Sequence, residues 1–480
     1  MSGSGVALAI ICVIILAGTL IGILAGRRHK MDLEQWTVAG RGFGLVLVWL
    51  LTAGEIYTSF TFLGVGAWAY SRGGPVLYAM AYGGLGYVVA FFILPPIWTL
   101  GRKHGLQTQP DFFAMRYGGK YLAAFVAIVG VAFIVPAIQL QLTGLGIIIQ
   151  VASFDAIART PAMIVAGVLL TGFVFISGMR GVAWVSVPKD LLMLAAALTV
   201  GFGVPRAFFG GFGPMFSALA QLKPTHLTMP GSTPNLGHTW YITTVLITSL
   251  GFYTWPHTFA ACYTAKSADT LRRNAVVMPV YTITMALMII VGYTAILASP
   301  GLSDPDLSLL TTVRKAFPPW MLGIIGGAGA LTAMVPSAIF LLAAATVFAK
   351  NLYRPIFAPS MTDDAVARLA RLAVVVLAGI GLYLAIYQSA TLVSLLLLGY
   401  AGMVQFFPGI VLGLFWERVT KTSVFTGMVA GVATAVILAI FKMDPIGGLN
   451  AGFVGLGLNF LLTFSLSAIA PATPRGARIP

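Results

Sequence analysis

The stretch LVLVWLLTAGEIYTSFTFLGVGAWAY, Leu45–Tyr70, decides how the rest of the chain is read. It is apolar and long enough to cross a bilayer, since about 20 apolar residues at roughly 1.5 Å each cover a hydrocarbon core. Its middle, TAGEIYTSFT, is wrong for an inert span. It sets the carboxylate of Glu55 beside Gly54 and gathers the hydroxyls of Thr52, Tyr57, Thr58, Ser59 and Thr61. Polar groups at that depth are costly unless they face a partner, an ion or a water-filled cavity. A glycine-containing, hydroxyl-rich break halfway along a membrane helix points to a transport site.

Composition agrees. The 480 residues are 59% hydrophobic and only 9% charged, with a mean hydropathy of +0.95, far from the roughly 25% charged of ordinary soluble domains. The apolar segments are continuous, which favours helices over an alternating-strand barrel. Cys12 and Cys262 both lie in apolar runs and give neither a metal motif nor a disulfide framework. The net charge of +15 is spread over many loops and reads as a topology signal, with no nucleic-acid partner. At the N-terminus, Arg27, Arg28 and Lys30 follow the apolar run instead of preceding it, which fits an uncleaved first span better than a signal peptide.

Thirteen spans are expected, near 6–26, 45–70, 76–99, 121–150, 161–179, 184–204, 240–263, 275–298, 319–349, 372–390, 392–415, 423–441 and 449–470. With the N-terminus outside and the C-terminus inside, twenty basic residues fall in cytoplasmic loops and seven outside, as the positive-inside rule asks. The outside loops 205–239 and 299–318 read as lids or short amphipathic helices. No cytoplasmic loop is long enough for a catalytic module and no phosphate-binding glycine loop is present, so neither an enzyme nor an ATP-driven pump is expected. The spans then divide into an N-terminal helix and loop (1–44), a first group of five (45–204), an extracellular loop (205–239), a second group of five (240–415) and two C-terminal helices with a tail (416–480). The second group also opens on an interrupted helix, TSLGFYTWPHTF at Thr248–Phe259, where Gly251 and Pro256 break the backbone pattern. Matched interruptions separated by an odd number of spans are the trace of an inverted repeat.

These residues resemble a known family. TAGEIYTSFTFLGVGAWAYSRGG at Thr52–Gly74, TQPDFFAMRYGGKY at Thr108–Tyr121 and WPHTFAACYTAKSADTLRRNA at Trp255–Ala275 are similar to the sodium:solute symporter family, and among its branches to bacterial monocarboxylate permeases. The resemblance spans about 6–470. It implies an all-α integral membrane protein with a five-plus-five inverted repeat of the leucine-transporter type, in the bacterial cytoplasmic membrane, monomeric or weakly oligomeric. It also implies a sodium site made by backbone carbonyls at Gly54, Tyr57 and Thr332 and by two hydroxyls on the same helix as Thr332. Here those two positions are Val335 and Pro336, which cannot ligate; a one-residue slip would bring in Ser337. Hard cations want several oxygens, so the site is degenerate.

A second departure lies in RGVAWVSVPKDLLML at Arg180–Leu194, where Ser186 and Lys189 occupy positions at which relatives carry an Asp and a Gln. An ammonium there could stand in for the ion's charge, which gives a proton-coupled symporter with Lys189 as proton carrier. The competing reading is an ion pair of Lys189 with Asp190 near the cytoplasmic interface, with the lysine snorkelling. Glu55 and Asp190 are the two acids within spans, and both are coupling candidates. For solute binding the candidates are Tyr57, Thr58, Ser59, Thr61, Tyr253, Trp255, His257, Gln139 and Gln405, with Gln141 and Tyr400 beside them. For Gln139 and Gln405 the alternative is bonding between helices, and Arg116 with Asp111 reads as a loop ion pair.

The expected activity is import of a short monocarboxylate such as lactate or pyruvate by alternating access, coupled to protons before sodium and without a cofactor. A sodium-coupled symporter of an amino acid or other small solute, and a transport-like sensor, remain open at this point.

Overall fold

The computed structural model describes residues 3–27 and 32–470, without the side chains of Arg27 and Glu55. The expectations for Glu55, and for the topology signals at Arg27, Arg28, Lys30, Arg475 and Arg478, therefore lie outside the described residues. Helices account for the whole architecture, and the only β-type pairing among the described residues is two isolated bridges. In chain order they are α1 (Gly3–Arg27), α2 (Leu33–Val38), α3 (Leu45–Ile56), α4 (Val65–Arg72), α5 (Tyr78–His104), α6 (Gln109–Tyr117) and α7 (Lys120–Ala152). Next come α8 (Arg159–Phe209), α9 (Phe212–Leu222), α10 (His238–Gly251), α11 (Pro256–Thr264), α12 (Ala268–Val277), α13 (Thr282–Ala298) and α14 (Ser308–Ala316). The chain ends with α15 (Pro319–Val347), α16 (Arg354–Phe357), α17 (Asp363–Tyr387), α18 (Leu392–Met403), α19 (Phe407–Phe415), α20 (Lys421–Ile440) and α21 (Ala451–Ile469).

Ten helical runs among the described residues are long and apolar enough to cross a membrane. The two interrupted segments are each split into shorter pieces. The first runs from α3 through a break at 57–59 and a π-helical stretch, Phe60–Gly64, into α4; the second is α10, a break at 252–255, and α11. The segments expected at 161–179 and 184–204 differ from the sequence reading. They form one helical run, α8, bent at Gly178 with φ 57° and ψ −172°, so a single residue replaces the expected loop. Positive φ is open to glycine without the Cβ clash that any other residue would meet.

The interior is organised on α15. Its sequence GIIGGAGALTAMVPSAIF is nearly all small or apolar, and almost the entire run is buried between α1, α7, α8 and α17. Small residues let helices approach closely where no hydrophobic drive separates helix from lipid. A β-carbon on Gly327 would lie 2.4 Å from Ile14, and one on Gly329 would lie 2.2 Å from Phe62. By contrast α1, α17 and α20 bury only one face, as lipid-facing helices do. Between α13 and α15, α14 is amphipathic, with Leu309, Leu310 and Val313 buried and Arg314 and Lys315 at its end.

Candidate functional site

The two breaks face each other across one cavity. Its walls come from the first break (Ile56, Thr58, Phe60), the second (Phe252, Trp255, His257, Thr258), α7 (Ala137, Leu140, Gln141), α5 (Tyr82), α15 (Phe340) and α18 (Leu396, Tyr400). The open space is about 30 Å³, so a solute of only a few heavy atoms is enclosed without side chains moving. Half of the lining residues carry rings: Trp255 meets Tyr400 edge-on at 5.3 Å, and the His257 ring lies 4.5 Å from that of Phe340.

Breaking a helix leaves backbone groups without intrahelical partners, and in a membrane each must be satisfied from elsewhere. The first break does this with its own hydroxyls. Thr61 Oγ1 donates to the Ile56 carbonyl at 2.5 Å, and Thr58 Oγ1 accepts from the Phe60 amide at 3.1 Å. The Ser59 amide is taken by Gln141 Oε1 of α7 at 2.9 Å. At the second break Thr254 Oγ1 donates to the Met403 carbonyl at 2.7 Å, and the Gln109 side-chain amide donates to the Thr254 carbonyl. The hydroxyl-rich composition of TAGEIYTSFT is thus largely the means of holding the break open. What remains for a solute is the N-terminus of α11, which starts at Pro256 with no side-chain cap, and His257 Nδ1, which is buried with no hydrogen bond among the described residues.

Beneath the first break is a second polar cluster. Lys189 is fully buried, and its Nζ lies 2.7 Å from Asp190 Oδ1, whose side chain is 3% exposed. The same ammonium is 5.6 Å from the centre of the Tyr57 ring. A β-carbon on Gly54 would stand 3.2 Å from that Nζ and 3.4 Å from Ser186 Oγ. The ammonium therefore occupies the space against the backbone of the first break. The ion pair is present, but the snorkelling picture is corrected: the lysine points into the protein and not to the headgroup region. On the facing wall Val335 and Pro336 present only carbon, while Thr332 Oγ1 is buried with no hydrogen bond among the described residues.

Of the residues singled out from sequence, the cavity brings together Thr58, Trp255, His257, Gln141 and Tyr400. Tyr57 turns away to hydrogen-bond Thr284 at 2.5 Å, and Ser59 and Thr61 serve the break. Tyr253 packs on Phe252 outside the lining. Gln139 donates to the carbonyls of Leu384 and Gln388, and Gln405 joins α18 to α21 through the Gly452 carbonyl and Asn459. Both amides bond helix to helix, the alternative left open above. Asp111 pairs with Lys350 at 2.7 Å rather than with Arg116, which donates to the Gly413 carbonyl. Ile56, Phe60, Tyr82, Thr258 and Phe340 escaped the sequence reading; period-3.6 spacing below the break could have pointed to Phe60 and nothing to Phe340.

Comparison with known proteins agrees with this geometry. The sodium:solute symporter family model matches residues 36–431. An uncharacterized symporter of Bacillus subtilis (strain 168), YhjB, is 42% identical over 96% of both chains. The monocarboxylate transport permease protein of Rhizobium johnstonii is 26% identical over 98% of both. In fold the chain is similar to a Na+-coupled sialic acid symporter solved substrate-bound and outward-open, with a TM-score of 0.78 at 18% identity, covering 98% of this chain and 99% of that one. A membrane-embedded helical chain with two facing helix breaks around a small cavity, matched by that family along most of its length, belongs to the sodium:solute symporter family and is a secondary transporter, not an enzyme.

Proposed function

We propose that this symporter imports a small monocarboxylate together with a proton across the bacterial cytoplasmic membrane. The observation that carries the reading is the Lys189 ammonium, fully buried and seated against Gly54 at the first break, where a bound cation's charge would otherwise be. A buried lysine beside a buried carboxylate is a pair that can exchange one proton without leaving the membrane interior. In this reading the chain crosses thirteen times, N-terminus outside, with 45–204 and 240–415 as inverted repeats that rock about the cavity.

The carboxylate is met by the N-terminus of α11, whose dipole favours a single negative charge by about 0.3–1 kcal/mol, with His257 Nδ1 beside it. Gln141, whose oxygen is occupied by Ser59, has its NH2 left to offer. No arginine lines the cavity, which suits one carboxylate better than two. The permease relative named for monocarboxylates supports the same class.

Labelled pyruvate or lactate should accumulate in proteoliposomes under an inward pH gradient with sodium absent. A strict sodium requirement would overturn the proton reading. One observation favours sodium instead: the Thr332 hydroxyl is buried with no hydrogen bond among the described residues, about one turn of α15 from Val335, which packs beside Gly54. Sodium-dependent thermal stabilisation that disappears in Thr332→Val would establish that second reading.

A further inference from the structure

Asp306 lies far from both clusters, in the outer turn Pro305–Leu307, yet is only 4% exposed. Its Oδ2 accepts the amide hydrogen of Leu392 at 3.2 Å, and its Oδ1 is buried with no hydrogen bond among the described residues. Leu392 is the first residue of α18. One and two turns further along the same face are Leu396 and Tyr400, which line the cavity. A β-carbon on Gly64, just past the first break, would touch Leu392 at 3.3 Å. Asp306 therefore sits where the outer loop, the outer half of the broken helix and the N-terminus of α18 converge above the cavity.

We propose that Asp306 is a proton-binding residue of the outer gate, taking a proton from the extracellular side as the α18 N-terminus seats against the 299–318 loop and releasing it there when they part.

The charged surroundings are few. From its own loop, Asp304 accepts the Asp306 amide at 3.0 Å and pairs with Arg159 of α8 at 2.7 Å. α4 contributes Tyr70, bonded to the Ser299 carbonyl, and Arg72, bonded to Thr233; α14 contributes Arg314, paired with Asp155, and Lys315, bonded to the Ala298 carbonyl. The π-helical stretch and the first turn of α18 offer no titratable group, and those of α7 lie at its other end. Among the described residues no cation is placed to pair with the Asp306 carboxylate directly. A buried carboxylate with one weak donor favours its neutral form. Burial first, and the Asp304 charge second, push the carboxyl up to about 7, against the opposing pull of the Leu392 amide and Arg159.

The sign follows by linkage. When the gate parts, water reaches the carboxyl and its pKa returns towards about 4. The seated state has the higher pKa, so protonation favours closure: the effect is complete below about pH 4, changes roughly tenfold per unit between 4 and 7, and is lost above about 7. Acid outside then closes the outer gate, which suits a proton-driven importer but does not require Lys189 to carry the coupled proton.

The test uses the full chain in lipid nanodiscs, with Cys12→Ser and Cys262→Ser, and spin labels on Ser303→Cys and Ser389→Cys, both exposed flanks of the contact. Double electron–electron resonance distances are recorded from pH 5 to 9. The short-distance fraction should rise as pH falls through about 7, become pH-independent and high in Asp306→Asn, and titrate again in Asp306→Glu. Lys189→Gln should leave this titration unchanged while abolishing uphill uptake, which separates failure here from failure of the proton-coupled reading. A titration that persists in Asp306→Asn, or a parent distance that does not respond to pH, overturns the proposal.

Discussion

Gln141 Oε1 accepts the Ser59 amide at 2.9 Å, so α7 holds the first break in place at the cavity wall. Gln141→Leu leaves that amide unsatisfied in an apolar setting, at a cost of about 1–3 kcal/mol. Expected are a lower unfolding temperature and lost solute binding together, whereas Gln141→Glu, which keeps the acceptor, restores most of the thermal stability. Full stability in the leucine variant would mean that the break supports itself.

Lys189 and Asp190 are a buried pair, and removing one partner strands the other's charge. Lys189→Met should destabilise by about 3–5 kcal/mol, with the double change Lys189→Met and Asp190→Leu recovering much of that loss. Both variants should bind solute yet fail to accumulate it under a pH gradient. Accumulation by the double variant, measured in proteoliposomes, would return the pair to a structural role.

In α6, Asp111 is held by Lys350 at 2.7 Å and by Asn351 at 2.7 Å. Burial alone would raise its carboxyl pKa, but the Lys350 charge and the hydrogen bonds from Lys350, Gln107 and Asn351 bring it below the ordinary carboxylate range. A depressed pKa stabilises above about pH 4 and is lost only as pH falls through the lowered value. Hydrogen exchange over 107–111, corrected for the intrinsic pH effect, should thus be flat between pH 5 and 8 and accelerate several-fold in Lys350→Met at every pH.

Gln405 ties α18 to α21, its Nε2 donating to the Gly452 carbonyl at 3.2 Å and its Oε1 accepting from Asn459 Nδ2 at 3.3 Å, with Gly431 packed against that Oε1. Gln405→Leu is expected to cost about 1 kcal/mol, in the range of polar contacts between membrane helices, and to leave solute affinity unchanged. A loss of affinity without loss of stability, read by isothermal titration and thermal unfolding, would place the side chain in the solute path after all.

Both interrupted helices were legible in the sequence, because a hydroxyl-rich run beside glycine and a Gly-Pro pair leave few other conformations in lipid. The tie that holds the second break was not. Gln109 reaches the Thr254 carbonyl from the short helix α6, and nothing in TQPDFF marks that glutamine as a partner of a residue far along the chain. Nearness in sequence points Asp111 to Arg116, yet the fold brings Lys350 to it. Gly178 hides a turn inside one helical run, since a lone glycine in an apolar stretch looks the same whether it bends the chain or merely packs.

By itself the sequence determined that the chain lives in a bilayer and where its helices break, since these depend on local composition; that Thr58, Ser59 and Thr61 hold the first break was decided by the structure. Only the tertiary structure decided that Lys189 points inward onto Gly54, that Asp306 is buried beneath an outer loop, and that Phe340 and Tyr82 wall the cavity. Those facts depend on which helix faces each side chain across the bundle, and the direction of a side chain on a helix apolar all round is set by its neighbours, not by its own periodicity.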